Sequence, residues 1–377
     1  MSLAVAAGAL GATSHAAGPG LKTVAAGLNN PRKLSVGPDG SLYVAEAGAG
    51  GRDRCLGKGP DPTCIGLTGS ITRITGGSRE QVVVGLPSIA RATEQRAAGP
   101  TAVRVDGGTY TVLLQDAYVN AHGGNALGRD GRTAGTLVST PPGKAKPTVI
   151  ADLAAFEARH NPDRGAGPGT RFGNPPVDSD PYAFVRYSGG YAVVDAAGND
   201  LLRVAPDGAI SVLTVFPTRT VQLTAAERKR YAIPAGVRSL AVQSVPTCVA
   251  PGPDGALYVG ELTGLPFRQG LARIWRVTPA GKKSLYASGF STISDLAFDG
   301  KDLLVLELAA AGIGAQRTHG ALIRLEPGGR RTVLASTGLV DPTGVAVAGG
   351  SIYVSNYGTY PGAGPGPHGE VVRLATR

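Results

Sequence analysis

Aromatic and charged residues are scarce in this chain. Of its 377 residues, 5% are aromatic and 17% are charged. Lys and Arg outnumber Asp and Glu by 37 to 27, which gives a net charge of +10. These basic residues are scattered, without a Lys/Arg run longer than three residues or an aromatic platform on which bases could stack. We therefore assign the charge to a solvated basic surface and expect no nucleic-acid partner.

Long apolar runs and common enzyme motifs are also absent. No window of about 18 apolar residues follows the first twenty residues, so no membrane-spanning helix is expected. The chain contains no Gly-x-Ser-x-Gly elbow, no HExxH helix and no phosphate-binding loop. No catalytic residue is therefore assigned, and whether the protein is an enzyme stays open.

Cysteine is limited to three residues. Cys55 and Cys64 flank a polar stretch with two prolines and two glycines, which predicts a disulfide that stabilises the loop by roughly 2–3 kcal/mol. A metal site is the weaker alternative, because two sulfurs lack a second pair or a nearby histidine. Cys248 lies among apolar neighbours and is predicted to be a small buried core residue.

The first residues have the composition of a leader. Residues 1–17 contain no Lys, Arg, Asp or Glu, residues 3–12 are apolar, and residues 14–16 place small side chains where a signal peptidase cleaves. The positively charged start of a signal peptide is missing, so a disordered leader is the alternative. We expect a secreted or extracytoplasmic protein whose single domain spans residues 18–377.

Glycine and proline, at 57 and 28 residues, indicate many short elements joined by tight turns. One pattern occurs six times: an apolar run, a turn with glycine, and a stronger run that ends in a polar residue. Each copy predicts a two-stranded hairpin. The hairpins are at 33–46, 102–115, 183–195, 248–261, 295–307 and 344–356.

A third apolar run follows every hairpin, and a fourth follows five of them. Four strands repeated six times predict an all-β fold, a six-bladed β-propeller of four-stranded blades. The sixth repeat lacks its fourth strand, and residues 21–31 are similar to 331–342. We therefore expect the N-terminal strand to pair with residues 369–377 and close the ring. Short helices are predicted at 152–160 and 224–231.

One polar side chain ends the second strand of each repeat. In a propeller such positions form a ring around the central channel, which makes these residues candidate ligand-binding groups. Carboxylates in a ring repel one another unless a cation compensates, and Ca²⁺ suits oxygen ligands. The alternative is that they bond turn amides locally. The six are Glu46, Gln115, Asp195, Glu261, Glu307 and Asn356, of which Glu46, Asp195, Glu261 and Asn356 are the candidate metal ligands.

Longer motifs resemble the ScyD/ScyE family, which is named from scytonemin-pigment gene clusters. The matching stretches include "NNPRKLSVGPDGSLYVAEAGAGG" (29–51), "VVDAAGNDLLRVAPDG" (193–208) and "QSVPTCVAPGPDGALYVGELTGLPF" (243–267). "DSDPYAF" (178–184) departs from the more usual Asn-Pro-Tyr form. The resemblance implies an exported six-bladed propeller of the NHL/TolB-like kind, and it supplies no established catalytic residues.

Three functions remain open at this point. The first is an extracellular binding protein, expected to be a monomer, that uses the top face and central channel for a small molecule or an extracellular protein. The second is a metal-dependent hydrolase or lactonase of the gluconolactonase-like propeller type. The third, a pigment-pathway assembly protein, is suggested by the family name alone.

Overall fold

A computed structural model describes residues 20–52, 54–56, 61–91, 96–115, 128–172, 175–313, 319–359 and 367–374. Over these residues the chain is an all-β propeller. The predicted leader at 1–17 lies outside the described residues. No helix in the described part is both long enough and apolar enough to cross a membrane.

The strands are short and follow one another through the whole described chain. In chain order they are β1 (Leu21–Leu28), β2 (Pro31–Val36), β3 (Leu42–Glu46), β4 (Arg54–Leu56), β5 (Thr63–Thr75), β6 (Ser78–Arg91), β7 (Ala97–Ala98), β8 (Pro100–Asp106), β9 (Thr109–Leu114), β10 (Thr136–Thr140), β11 (Gly143–Lys144), β12 (Thr148–Asp152), β13 (Pro181–Tyr187), β14 (Gly190–Asp195), β15 (Asp200–Val204), β16 (Ile210–Val215), β17 (Arg219–Gln222), β18 (Ser239–Val242), β19 (Pro246–Pro251), β20 (Leu257–Glu261), β21 (Ala272–Val277), β22 (Lys283–Phe290), β23 (Ile293–Asp299), β24 (Asp302–Glu307), β25 (Ala321–Leu325), β26 (Arg331–Ala335), β27 (Gly344–Ala348), β28 (Ser351–Asn356) and β29 (Gly369–Leu374). The helices are α1 (Gly128–Gly131), α2 (Leu153–His160) and α3 (Ala225–Arg230), with one 3₁₀ turn at Thr170–Phe172.

The described strands form five four-stranded antiparallel sheets and two others. The four-stranded orders are β12-β10-β9-β8, β13-β14-β15-β16, β19-β20-β21-β22, β23-β24-β25-β26 and β1-β29-β28-β27. Five blades of the predicted form are therefore present instead of six. The first repeat differs because β4, β7 and β11 extend it into a seven-stranded sheet, and β17 pairs only with β18.

All six predicted hairpins are present. They are β2–β3, β8–β9, β13–β14, β19–β20, β23–β24 and β27–β28. Each hairpin supplies the first two strands of its repeat, so the repeating unit that the sequence predicts is the unit from which the sheets are built.

Two of the hairpin turns show why the repeated turn sequence suits this fold. Gly40 and Gly255 have φ angles of +76° and +73°, a left-handed conformation that glycine adopts without steric cost. In both turns the preceding aspartate caps the backbone. Asp39 accepts a hydrogen bond from the Ser41 N–H, and Asp254 accepts one from the Ala256 N–H.

The first described strand pairs with the last one. β1 lies antiparallel to β29, with Leu21 opposite Leu374 and Leu28 opposite Gly369. Leu21 and Leu28 are both buried. The pairing supplies the fourth strand of the last sheet and covers the open edge of β29.

The first strands of the six repeats surround one axis. β2 contacts β8, and the contacts continue through β13, β19, β23 and β27, which returns to β2. The apolar core lies between neighbouring sheets. In one cluster Leu304 and Leu306 of β24 pack with Val354 of β28 and Val372 of β29.

The two predicted helices are confirmed with their caps. Asp152 precedes α2 and accepts a hydrogen bond from the Ala155 N–H, while Leu153 and Phe156 are buried. Thr224 and Glu227 form the predicted capping box at the start of α3.

The predicted disulfide is also present. Cys55 and Cys64 lie directly opposite each other in β4 and β5, with 3.9 Å between their Cα atoms. Cys248 is buried as a free thiol, and burial raises its pKa to about 12.

Candidate functional site

The central channel contains a cavity of about 440 Å³ that all six first strands line. Its wall is mainly apolar, with Lys33, Arg104, Arg186 and Asp295 as its charged members. The strands place these side chains inward because alternate residues of a first strand face the axis.

Lys33 and Asp295 form a buried ion pair across this channel. Lys33 Nζ lies 3.0 Å from Asp295 Oδ1 and also donates to the Ser294 carbonyl. Asp295 Oδ2 accepts a hydrogen bond from the Val345 N–H at 2.8 Å. Burial is the largest influence on Asp295 and raises its pKa despite the lysine. The pair links the strands β2, β23 and β27, so it holds the channel wall together.

The mouth of the channel contains a smaller cavity that is basic. It measures about 240 Å³, and Arg32, Arg91 and Arg96 line it together with Gln115 and Tyr182. Among the described residues that line it, none is Asp or Glu. The mouth therefore combines cationic, amide and phenolic groups around a space of small-molecule size.

Arg32 is the most buried of these basic residues, with 3% of its surface exposed. Its guanidinium donates to the carbonyls of Gly358 and Ala97, and Nε lies 3.5 Å from Gln115 Oε1. Within the described ranges no carboxylate lies within ion-pair distance of it. Burial lowers the pKa of Arg32, because removal from water disfavours the charged form.

The six strand-end side chains that the sequence singles out are all buried. Most of them accept a hydrogen bond from the chain that enters the same blade. Such bonds are the local alternative considered for these residues. The Asn29 N–H donates to Glu46 and the Asp180 N–H donates to Asp195. In the same way, the Ser291 N–H donates to Glu307 and the Val340 N–H donates to Asn356.

These six side chains are bonded separately rather than around one point. Gln115 lines the mouth cavity, whereas Glu46, Asp195, Glu261, Glu307 and Asn356 do not line the channel or mouth cavities. Across the part of the chain that the structure describes, no three His, Cys, Asp or Glu side chains are arranged to hold a metal ion. A ligand-binding role for the ring stays a prediction.

In the fourth repeat, the strand-end carboxylate is neutralised by a cation. Glu261 receives 2.8 Å hydrogen bonds from Arg273 Nε and Arg273 Nη2. Trp275 Nε1 and Ser244 Oγ donate to the same carboxylate at 2.7 and 2.8 Å. The bidentate arginine offsets the cost of burying Glu261, which has no solvent exposure.

In the third repeat, two carboxylates oppose each other instead. Asp195 pairs with Asp200 across β14 and β15, and both are buried. Asp195 accepts from the N–H groups of Asp180, Ala197 and Gly198. Both carboxylate oxygens of Asp200 are buried without a hydrogen-bond partner among the described residues.

Three more carboxyl groups surround this pair. Glu157 of α2 is 1% exposed, and burial together with the charge of Asp195 raises its pKa to about 8. Burial and the same charge raise the pKa of Asp178 to about 6, and burial raises the pKa of Asp163. We call Glu157, Asp163, Asp178, Asp195 and Asp200 the third-blade acidic cluster.

The sequence singled out only Asp195 of this cluster. Its partner Asp200 follows in "DAAGND", where a five-residue step between two buried strands brings both carboxylates to one sheet position. That spacing could have identified Asp200. Glu157 could not be found in this way, because its approach to Gly198 depends on how α2 packs.

Comparison with known proteins shows the fold. No protein-family model matches the chain, and no curated protein matches its sequence. Among solved structures, a glucose dehydrogenase has 12% identity over 95% of this chain and 99% of that chain, with a TM-score of 0.52. A glucose dehydrogenase-type oxidoreductase from Thermus thermophilus has 15% identity over 94% and 99%, with a TM-score of 0.51. A luciferin-regenerating enzyme has 8% identity over 94% and 95%, with a TM-score of 0.50.

Proposed function

We propose that this protein is an exported six-bladed propeller that binds a small anionic molecule at the mouth of its channel. The six-blade count is supported by the closed cycle of first strands and by the β1–β29 pairing. Export is supported by the disulfide, since such bonds persist in oxidising compartments. The resemblance to the ScyD/ScyE family agrees with both points.

The observation that carries this proposal is the burial of Arg32 beside a basic cavity. In the described part of the chain its guanidinium is hydrogen-bonded to neutral oxygens, and no carboxylate contacts it. Arg96 lines the same space, as does Arg91, whose side chain also lies 3.8 Å from Asp61. An anion in the mouth would gain charge-assisted hydrogen bonds in a partly desolvated site.

Small carboxylates and phosphate test this proposal directly. The folded protein is titrated with citrate, succinate and inorganic phosphate, and binding is followed by calorimetry and by the melting temperature. We expect at least one of these anions to bind, and Arg96→Gln to weaken that binding about tenfold. Arg104→Gln is the matched control, because Arg104 lies in the channel cavity instead of the mouth.

Two binding results would contradict an anion site at the mouth. If none of the three anions binds, or if Arg96→Gln and Arg104→Gln weaken binding equally, the mouth is not an anion site. Because Arg32 bonds three parts of the chain, its own substitution is reserved for a second step in which folding is checked by circular dichroism.

The alternative of a metal-dependent lactonase requires a cation held in the channel. The strand-end carboxylates are instead bonded within their own blades, which favours the binding function. A role in pigment assembly is supported only by the family resemblance.

A further inference from the structure

The third-blade acidic cluster brings several buried carboxyl groups together without a bonded cation in the described part of the chain. We propose that it binds one divalent cation, with Ca²⁺ as the natural occupant, between Glu157, Asp195 and Asp200. This inference is independent of the anion site, because none of the three residues lines the mouth cavity.

Asp200 provides the first argument. It has no solvent exposure, and neither of its carboxylate oxygens has a hydrogen-bond partner in the described part of the chain. An unpaired buried charge costs several kcal/mol, so the group must hold a proton or meet a cation. Its partner across the strands is Asp195, and the charges of Asp195, Glu157 and Asp163 act on it.

Strand pairing provides the second argument. Asp195 and Asp200 are directly opposite each other in β14 and β15, where like charges destabilise a sheet. The corresponding pair in the fourth blade is Glu261 and Arg273. The third blade thus retains the acidic member of the pair and replaces the basic member with a second acid.

Glu157 and the neighbouring loop close the site. A Cβ atom on Gly198 would lie 3.2 Å from Glu157 Oε2 and 3.3 Å from Asp195 Cγ, so both carboxylates meet over this glycine. Asn199 Nδ2 holds Asp163 Oδ2 at 2.7 Å beside them. No Lys or Arg in the described ranges forms an ion pair with any member of the cluster.

The chemistry of the coordinating oxygens decides which metal ion the site favours. Each of the three proposed ligands is a carboxylate, which is the ligand type that Ca²⁺ prefers over softer metals. Asp163 and Asp178 are partly exposed and give a hydrated ion a path inward. Among the described residues the oxygens are not drawn together as a finished metal cluster, so binding requires these side chains to rearrange.

The test uses the full chain after removal of metal with EGTA. Calorimetry with CaCl₂ at pH 7.5 should give one site per chain, and the melting temperature should rise with Ca²⁺ and fall again with EGTA. Asp200→Asn should abolish both responses, and Asp178→Asn should weaken binding about tenfold. Asp207→Asn is the matched control, because Asp207 is an exposed turn residue of the same blade.

Two results would overturn the proposal. One is the absence of any Ca²⁺ heat and of any shift in the melting temperature of the unsubstituted protein. The other is a response that survives in Asp200→Asn and Asp178→Asn, both shown by circular dichroism to be folded. In either case the cluster is neutralised by protons and not by a cation.

Discussion

The third and fourth blades present the same strand-end carboxylate in opposite electrostatic settings. In the fourth blade Glu261 is bonded to Arg273 and Trp275. In the third blade Asp195 faces Asp200, and its donors in the described part of the chain are backbone N–H groups and a hydroxyl. The position therefore needs an acceptor for the chain that enters the blade, while the residue opposite decides whether the site is balanced.

The largest effect on stability should come from removing the arginine that neutralises Glu261 in the fourth blade. Arg273→Met leaves Glu261 buried without its counter-ion and should lower the free energy of unfolding by about 3–5 kcal/mol. Urea denaturation measures the loss. The control is Arg276→Met on the same strand, whose solvent-exposed pair with Asp254 should contribute little to stability. Equal losses in the two variants would show that Arg273 does not balance Glu261.

The fifth blade offers an intermediate case, since Ala321 lies opposite its carboxylate Glu307. Burial raises the pKa of Glu307 from 4.5 to about 7. Because the folded state binds this proton more tightly than the unfolded state, the stabilisation is complete below pH 4.5 and is lost as pH rises through 7.

Glu307→Gln isolates that contribution. Between about pH 4.5 and about pH 8 the unsubstituted protein should lose up to about 3 kcal/mol more of its unfolding free energy than the variant does. Both are measured by urea denaturation with EGTA present, so that the third-blade acidic cluster contributes equally to each. Parallel pH curves for the two proteins would contradict the prediction.

The smallest expected effect is the difference in stability cost between two equivalent serine substitutions, one in the third blade and one in the fourth. Ser179 Oγ donates to Asp195 at 2.6 Å, and Ser244 Oγ donates to Glu261 at 2.8 Å. Ser179→Ala should cost about 2 kcal/mol, because Asp195 has no bonded cation. Ser244→Ala should cost about 1 kcal/mol, because Arg273 and Trp275 remain bonded. A larger cost for Ser244→Ala in thermal unfolding would reverse our view of the two sites.

Much of the fold could be predicted because each repeat has a sequence pattern that can be recognised locally. Alternating apolar runs and glycine turns indicated the hairpins, and the similarity of 21–31 to 331–342 indicated the pairing of β1 with β29. The cysteine spacing indicated the disulfide. The blade count is less direct, since the first repeat merges into a seven-stranded sheet.

The candidate sites were less predictable because they depend on packing between distant segments. Arg32 meets Ala97 and Gly358, which are 65 and 326 residues away in the chain, and Lys33 meets Asp295, which is 262 residues away. A lone Arg-Lys pair at the start of a strand carries no local sign of such partners. The strand-end ring was found by alignment of the repeats, yet alignment does not show which neighbour bonds each member.

The β1–β29 pairing has a consequence for the order of events during synthesis. β1 is among the first described elements made on the ribosome, and its partner β29 is the last. At about 5–20 residues per second, β1 waits roughly 20–70 s for β29 to emerge. Throughout that interval the last sheet cannot be completed, so the pairing of β1 with β29 is among the last steps in the folding of the described chain.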